Sequence, residues 1–143
     1  MELNLIAAGI EFVGTSVKKL NITNNIVDIE KDGERSFGLN INEPKLYQED
    51  NKLFAQILVD FEIEIKQDVE REFKMQLSVE GAFLSEENAD REEFEELVMV
   101  NGVAALIGIA RGKIEAISAN IFNNGKVVIP FVNVIDYYNN LTE

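Results

Sequence analysis

The sequence predicts an α+β fold: a four-stranded antiparallel sheet with a long helix and a short C-terminal helix packed on one face. Three observations predict it. Phe61-Glu62-Ile63-Glu64-Ile65 and Phe73-Lys74-Met75-Gln76-Leu77-Ser78-Val79-Glu80 alternate with a period of two, as strands do when one face is buried and the other wet. After Ser85 the apolar spacing changes to three and four, the period of a helix. No linker or internal repeat interrupts the 143 residues, so strands followed by helices are expected to share one domain, 1–143.

The elements follow in order. Ile10-Glu11-Phe12-Val13 and Leu20-Asn21-Ile22 are read as one edge strand broken near Gly14, and the polar stretch from Thr23 to Ser36 as a long connection. Phe37 to Asn42 alternates again and stops at Pro44, and Gln67 to Arg71 is the turn between the two clearest strands. The acidic run Glu86 to Asp90 suits a helix start. Phe94, Leu97, Val98, Val103, Ile107, Ala110, Ile114, Ile117 and Ile121 then mark a long amphipathic helix, jogged at Asn101-Gly102 and ending near Asn123-Asn124-Gly125. Val127 to Pro130 reads as an extended link, and Asn133 as the cap of a last helix from Val134 to Leu141.

Composition narrows the function. A chain of 143 residues and 16.1 kDa buries roughly 68–70% of its unfolded surface and needs no staple. Cys and His are both absent, which removes disulfides, thiolate zinc sites, the usual catalytic triads and the commonest general base. No enzyme activity, cofactor or metal is expected. Twenty-six acids against 13 bases give a net charge of −13, a field that repels phosphate backbones and argues against nucleic-acid binding. Met1-Glu2-Leu3-Asn4 lacks a basic leader, and the uncharged apolar stretch Leu97–Ala110 is shorter than the ~20 residues of a membrane span. A cytoplasmic protein with no membrane insertion is expected.

Two constellations invite a sharper reading. Asp60, Glu62 and Glu64 share one strand face about 7 Å apart, spaced to hold a divalent cation or supply an acid–base pair; the alternation of a solvated strand face is enough to explain them. Ala105, Gly108, Gly112, Ala116 and Ala119 form a small-residue stripe along the long helix. Such a stripe lets another backbone approach closely, either a second subunit or the chain's own sheet. Leu106, Ile107, Ile114, Ile117 and Ile121 make the helix apolar over more of its circumference than one sheet requires, which favours an oligomer.

These elements resemble the SecB export chaperones. Phe73 to Phe83 is similar to that family's fourth strand, whose closing Gly-Gly-x-Phe stands here as Glu80-Gly81-Ala82-Phe83. The family's Leu-Phe-Pro-Tyr-Ala-Arg run resembles Leu106-Ile107-Gly108-Ile109-Ala110-Arg111, with Gly for Pro. Its Pro-Val-Asn-Phe is similar to Pro130-Phe131-Val132-Asn133-Val134, one residue longer, and Asp136-Tyr137-Tyr138-Asn139 also looks alike.

The resemblance implies an ATP-independent holdase that keeps unfolded preproteins export-competent, hands them to the motor SecA, and assembles as a homotetramer, a dimer of dimers. It places a client groove between the crossover loop, with Ile26, Val27 and Ile29, and the long helix, with Leu106, Ile109, Ile114 and Ile117. It places an acidic docking surface at Asp68 and Glu70 with Glu62 and Glu64; the small-residue stripe at Ala105, Gly108, Gly112 and Ala116 is the candidate oligomer contact. Where the family sets docking acids on its first strand, this chain has Lys19 and Thr23. Weak SecA binding is therefore expected, and a chaperone dedicated to one client, such as the antitoxin of a toxin–antitoxin pair, is the close alternative. A carboxylate metal enzyme built on Asp60, Glu62 and Glu64 is the alternative from another class, and a structural subunit without clients a third.

Overall fold

The computed structural model describes residues 9–142. Five strands come first: β1 (Ile10–Asn24), β2 (Glu34–Ile41), β3 (Lys45–Glu49), β4 (Lys52–Lys66) and β5 (Glu72–Ser85). Helices follow: α1 (Arg91–Leu97), a π-helical turn (Val98–Gly102), α2 (Val103–Ala119) and α3 (Val134–Thr142). The sheet is antiparallel in the order β1-β5-β4-β2, with β3 also on β4.

The alternation in β4 and β5 sets the core. Ala55, Ile57, Val59, Phe61, Ile63 and Ile65 of β4 and Phe73, Met75, Leu77, Val79 and Phe83 of β5 are buried beneath the helices, together with Phe94, Val103, Leu106, Ala110 and Ile114. Glu62 and Glu64 lie on the opposite face.

The expected four strands become five because the far edge is divided. β2 covers β4 from Val59 to Lys66 and β3 covers it from Lys52 to Gln56. Between them Pro44, which has no N–H for the ladder, interrupts one edge strand. β1, in contrast, is not broken: it runs through Gly14 with register shifts at Phe12/Gly14 and Val17/Lys19. Each shift places an extra residue, Val13 and Lys18, outside the pairing and resets the alternation.

The helical layer starts where the acids indicate. Asp90 caps α1, its side chain accepting the Glu93 N–H at 3.1 Å. The jog at Asn101-Gly102 is the π-helical turn, in which the Val103 N–H reaches back to the Val98 carbonyl. Gly102 lets the turn pack closely on β5, since a Cβ there would meet the Phe83 ring at 3.1 Å. Helix continuity through this turn yields a 29-residue helix, Arg91–Ala119, long and apolar enough by length and composition to cross a membrane. In that helix 44% of the most apolar window is buried within the chain.

α2 stops at Ala119, short of the expected Asn123-Asn124-Gly125. The Ile121 and Phe122 N–H groups both turn back to the Ser118 carbonyl, which swings Phe122 inward to an edge contact with Phe73, centroids 5.0 Å apart. Gly125, at φ 101°, serves the turn that follows.

Candidate functional site

The crossover between β1 and β2, residues 25–33, is fastened at several points. Ile26 is buried in the main core, and Ile29 packs over Gly125. The Asn25 N–H donates to the Glu72 carbonyl at 2.9 Å, and the Ile29 N–H to that of Asn124 at 3.1 Å. Gln67 Oε1 accepts the Glu30 N–H at 2.7 Å. Arg71 bridges Glu30 and Asp68, at 2.7 Å each.

The residues expected to line a groove therefore part company. Ile26, Leu106 and Ile114 are core residues, 2%, 0% and 0% exposed; Ile26 drops under its loop, and Leu106 and Ile114 lie on the helix stripe that meets the sheet. Val27 is exposed on the crossover, and Ile29, Ile109 and Ile117 are half-buried.

A groove forms elsewhere, at the π-helical turn. Val100, Asn101 and Ala104 floor an open trough of about 690 Å³ whose far side is Phe131 to Ile135. Beyond Ile135 it continues over Leu97, Tyr138 and Asn139 to Glu93 and Glu96. α3 is docked through buried Val134, and Asn133 caps it by accepting the Asp136 N–H at 3.0 Å. Phe131 and Ile135 remain exposed on the wall. Glu92 and Glu95 join Glu93 and Glu96 on the short helix beside it, so the trough is apolar within and acidic at one end. Pro130-Phe131 beside the Asn133 cap was the visible signal for this wall, but nothing in the spacing joined it to Val100.

Ala105, Gly108, Gly112 and Ala116 are all exposed. A Cβ at Gly108 or Gly112 would meet nothing within 4 Å. Close packing of this stripe on the chain's own sheet is thus overturned; the stripe faces outward. Among the described residues, a second surface without a partner lies on β1, where Phe12, Val17, Leu20 and Ile22 are 45%, 40%, 43% and 36% exposed on the helix side of a sheet edge that no other described strand covers.

The acidic positions occupy the other face and one tip of the sheet. Glu62 accepts from Gln76 at 3.4 Å. Asp68 is held below the usual carboxylate range by the Arg71 side chain and by the Arg71 and Glu70 N–H groups, while Glu70 is exposed. Glu72 is lowered by Lys74, which is raised in turn. Asp60 accepts from Ser78 at 2.5 Å and Asn42 at 2.9 Å. Lys19 pairs across from Ser78 and Thr23 from Lys74, on this same outer face. Among the described residues, no group of three or more Asp or Glu side chains is placed to hold a metal ion, and the Asp60, Glu62 and Glu64 ladder lies along a solvated face.

Neither a protein-family model nor a curated protein sequence matches the chain. Solved structures do. A Streptococcus agalactiae protein of unknown function is 14% identical at a TM-score of 0.48, over 85% of this chain and 97% of that one. The Mycobacterium tuberculosis SecB-like chaperone Rv1957, solved in complex with a ChAD peptide from the HigA1 antitoxin Rv1956, is 11% identical at a TM-score of 0.61, over 89% of this chain and 93% of that one. At that similarity the two chains share a fold: the antiparallel sheet under a long helix and a short C-terminal helix is SecB-like.

Proposed function

We propose that this chain is an ATP-independent holdase chaperone that binds extended apolar segments of unfolded proteins. The observation that carries the reading is the trough at the π-helical turn, apolar along Val100, Phe131 and Ile135 and acidic at Glu93 and Glu96. Its occupant is an apolar client segment flanked by basic residues, to which a chain of net charge −13 is complementary. The SecB-like fold supports the same reading, as does the chaperone activity of the protein that shares it.

Assembly follows from the unpartnered surfaces. A monomer exposing both the β1 row and the α2 stripe would be prone to aggregate. A homotetramer covers them in two symmetric contacts, strand edge to strand edge through β1 and helix to helix through Ala105, Gly108, Gly112 and Ala116.

Two observations favour a dedicated client over general export. Lys19 and Thr23 stand on the outer face in the rows of Asp60 and Glu64, one strand away across β5, where they dilute an acidic surface for SecA. The chaperone sharing the fold was solved with an antitoxin peptide.

The test is direct. Reduced, unfolded substrate proteins should scatter less light on dilution into the purified chain, without nucleotide, and native mass spectrometry should give four subunits. Undiminished scattering across several substrates, with no bound species by mass, would overturn the holdase reading.

A further inference from the structure

Asparagine is followed by glycine at two places in the chain, Asn101-Gly102 and Asn124-Gly125. An asparagine side chain is open to attack by the backbone nitrogen of the next residue, and glycine, with no Cβ to crowd the ring that forms, permits it most readily. The two pairs are alike in sequence and differ in structure. Asn101-Gly102 lies inside the continuous helix Arg91–Ala119. Gly102 is buried there with helical angles, φ −64° and ψ −47°, and a helix commits its backbone N–H groups to its own ladder. Ring closure at Asn101 would have to break that backbone.

Asn124-Gly125 stands beyond α2 in a turn, exposed, with Gly125 at φ 101°. Among the described residues, neither the Asn124 side-chain amide nor the Gly125 N–H has a hydrogen-bond partner. The main chain of Asn124, in contrast, is held. Its carbonyl accepts the Ile29 N–H at 3.1 Å, and it forms an isolated parallel bridge with Asp28. One residue earlier, Asn123 donates its N–H to the Val27 carbonyl at 2.8 Å and its side chain to Asp28 at 3.0 Å. Ile29 packs so closely over Gly125 that a Cβ there would lie 3.1 Å from its own Cβ. The unbonded side chain thus sits on the residue that ties the crossover to the end of α2.

We propose that Asn124 is a site of spontaneous deamidation, and that its conversion loosens the crossover from the end of α2. The Gly125 nitrogen gives its proton to solvent base and attacks Cγ of Asn124. The new C–N bond closes a succinimide, the Cγ–Nδ2 bond breaks, and Nδ2 leaves as ammonia. Water then opens the ring at either carbonyl, leaving aspartate or isoaspartate at position 124. Either product sets a second carboxylate on the residue bridged to Asp28, and like charges repel. In isoaspartate the main chain also runs through Cβ and Cγ, which lengthens it and displaces Gly125 from beneath Ile29. The proposal concerns the crossover alone and stands apart from the holdase reading.

The experiment incubates the purified full chain in mildly alkaline buffer, folded and in urea, and follows both asparagines by mass spectrometry of its peptides. In the folded chain the amide at 124 should be lost while Asn101 stays intact. In urea, where the helix is gone, both should convert at comparable rates. Isoaspartyl methyltransferase with a labelled methyl donor should mark only the peptide containing position 124 in the folded sample. Hydrogen exchange in the aged folded chain should quicken at Ile29 by about three- to tenfold, the scale of losing one backbone hydrogen bond, with β4 and β5 unchanged. Asn124→Gln, an exposed change whose longer side chain closes no five-membered ring, should keep its amide and hold Ile29 at the rate of the fresh chain. A folded chain that keeps the amide at 124 while the urea sample converts would overturn the proposal. So would equal conversion at 101 and 124 in the folded chain, since the fold would then have no part in choosing the site. Conversion at 124 with unchanged exchange at Ile29 overturns the loosening, as does equal quickening in aged Asn124→Gln, which would place the cause elsewhere.

Discussion

Leu106 of α2 lies so close over Gly81 of β5 that a Cβ on the glycine would sit 2.6 Å from one Leu106 methyl and 2.9 Å from the other. Helix and sheet meet here only because position 81 has no side chain. Leu106 is fully buried, so its side chain has to shift within the packed core to make room. Gly81→Ala should therefore destabilise the chain by about 1–3 kcal/mol, the usual cost of overpacking. Leu106→Val in the same chain should recover part of the loss, because the two residues are in contact and their effects do not add. Thermal melts of the two singles and the double variant give the answer; a Gly81→Ala chain as stable as wild type would refute the contact.

The stripe on α2 should behave in the opposite way. Gly108 and Gly112 have open space where a side chain would be, so Ala at either position should stabilise the separated chain by about 1 kcal/mol through helix propensity alone. Leucine at both positions should likewise leave the chain's own fold intact. In an assembly that uses the stripe, however, it should hold the partner helix away. Native mass spectrometry should then show fewer subunits, with no loss of far-ultraviolet circular dichroism. An unchanged subunit count in Gly108→Leu/Gly112→Leu would remove the stripe from the interface.

What the sequence revealed follows from where local patterning decides structure. In β4 and β5 each residue pairs one to one, so Phe61 to Ile65 and Phe73 to Val79 announce their faces without further information. β1 does not, because Val13 and Lys18 fall outside the pairing and the alternation changes phase twice within one strand. The interruption at Pro44 was legible, but not that β3 would resume beyond it on the same edge. On α2 the small stripe was plain, while its direction depended on which side met the sheet. The groove was least legible: Val100 and Phe131 are brought together by a π-helical turn and by an arginine reaching from Arg111 to Pro130, contacts that no short-range period encodes.

Asp60 links stability to pH through the outer face. Partial burial on its own would raise its pKa, but hydrogen bonds from Ser78, Asn42 and Asn40, with Lys19 nearby, outweigh it and leave the carboxyl below its ordinary value. A depressed carboxylate contributes stability that is present above the unfolded pKa and lost as pH falls through the folded one. Ser78→Ala removes the donor at 2.5 Å and should cost about 1–2 kcal/mol at neutral pH, the scale of a charge-assisted hydrogen bond. Below about pH 3, where Asp60 is increasingly protonated in both chains, the difference between wild type and Ser78→Ala should narrow. Urea denaturation at pH 7 and at about pH 2 measures it, and a constant difference would show that Ser78 acts by packing rather than through Asp60.

Ser118 closes the circuit between the end of α2 and the groove wall. It is fully buried, accepts the Val127 N–H at 2.8 Å and donates to the Glu115 carbonyl at 3.2 Å. The chain leaves α2 one residue later, and Val127 is the first fixed point of the segment that carries Phe131. Ser118→Ala leaves the Val127 N–H buried without a partner, at about 1–3 kcal/mol, offset by at most about 0.7 kcal/mol of helix propensity. The net loss should appear first as local opening, because the 126–133 segment has little else to hold it. Hydrogen exchange should therefore quicken at Val127 and Ile129 before the amides of β4 and β5 respond. Faster exchange spread evenly over the whole sheet would mean that Ser118 supports the core as a whole and does not anchor the wall.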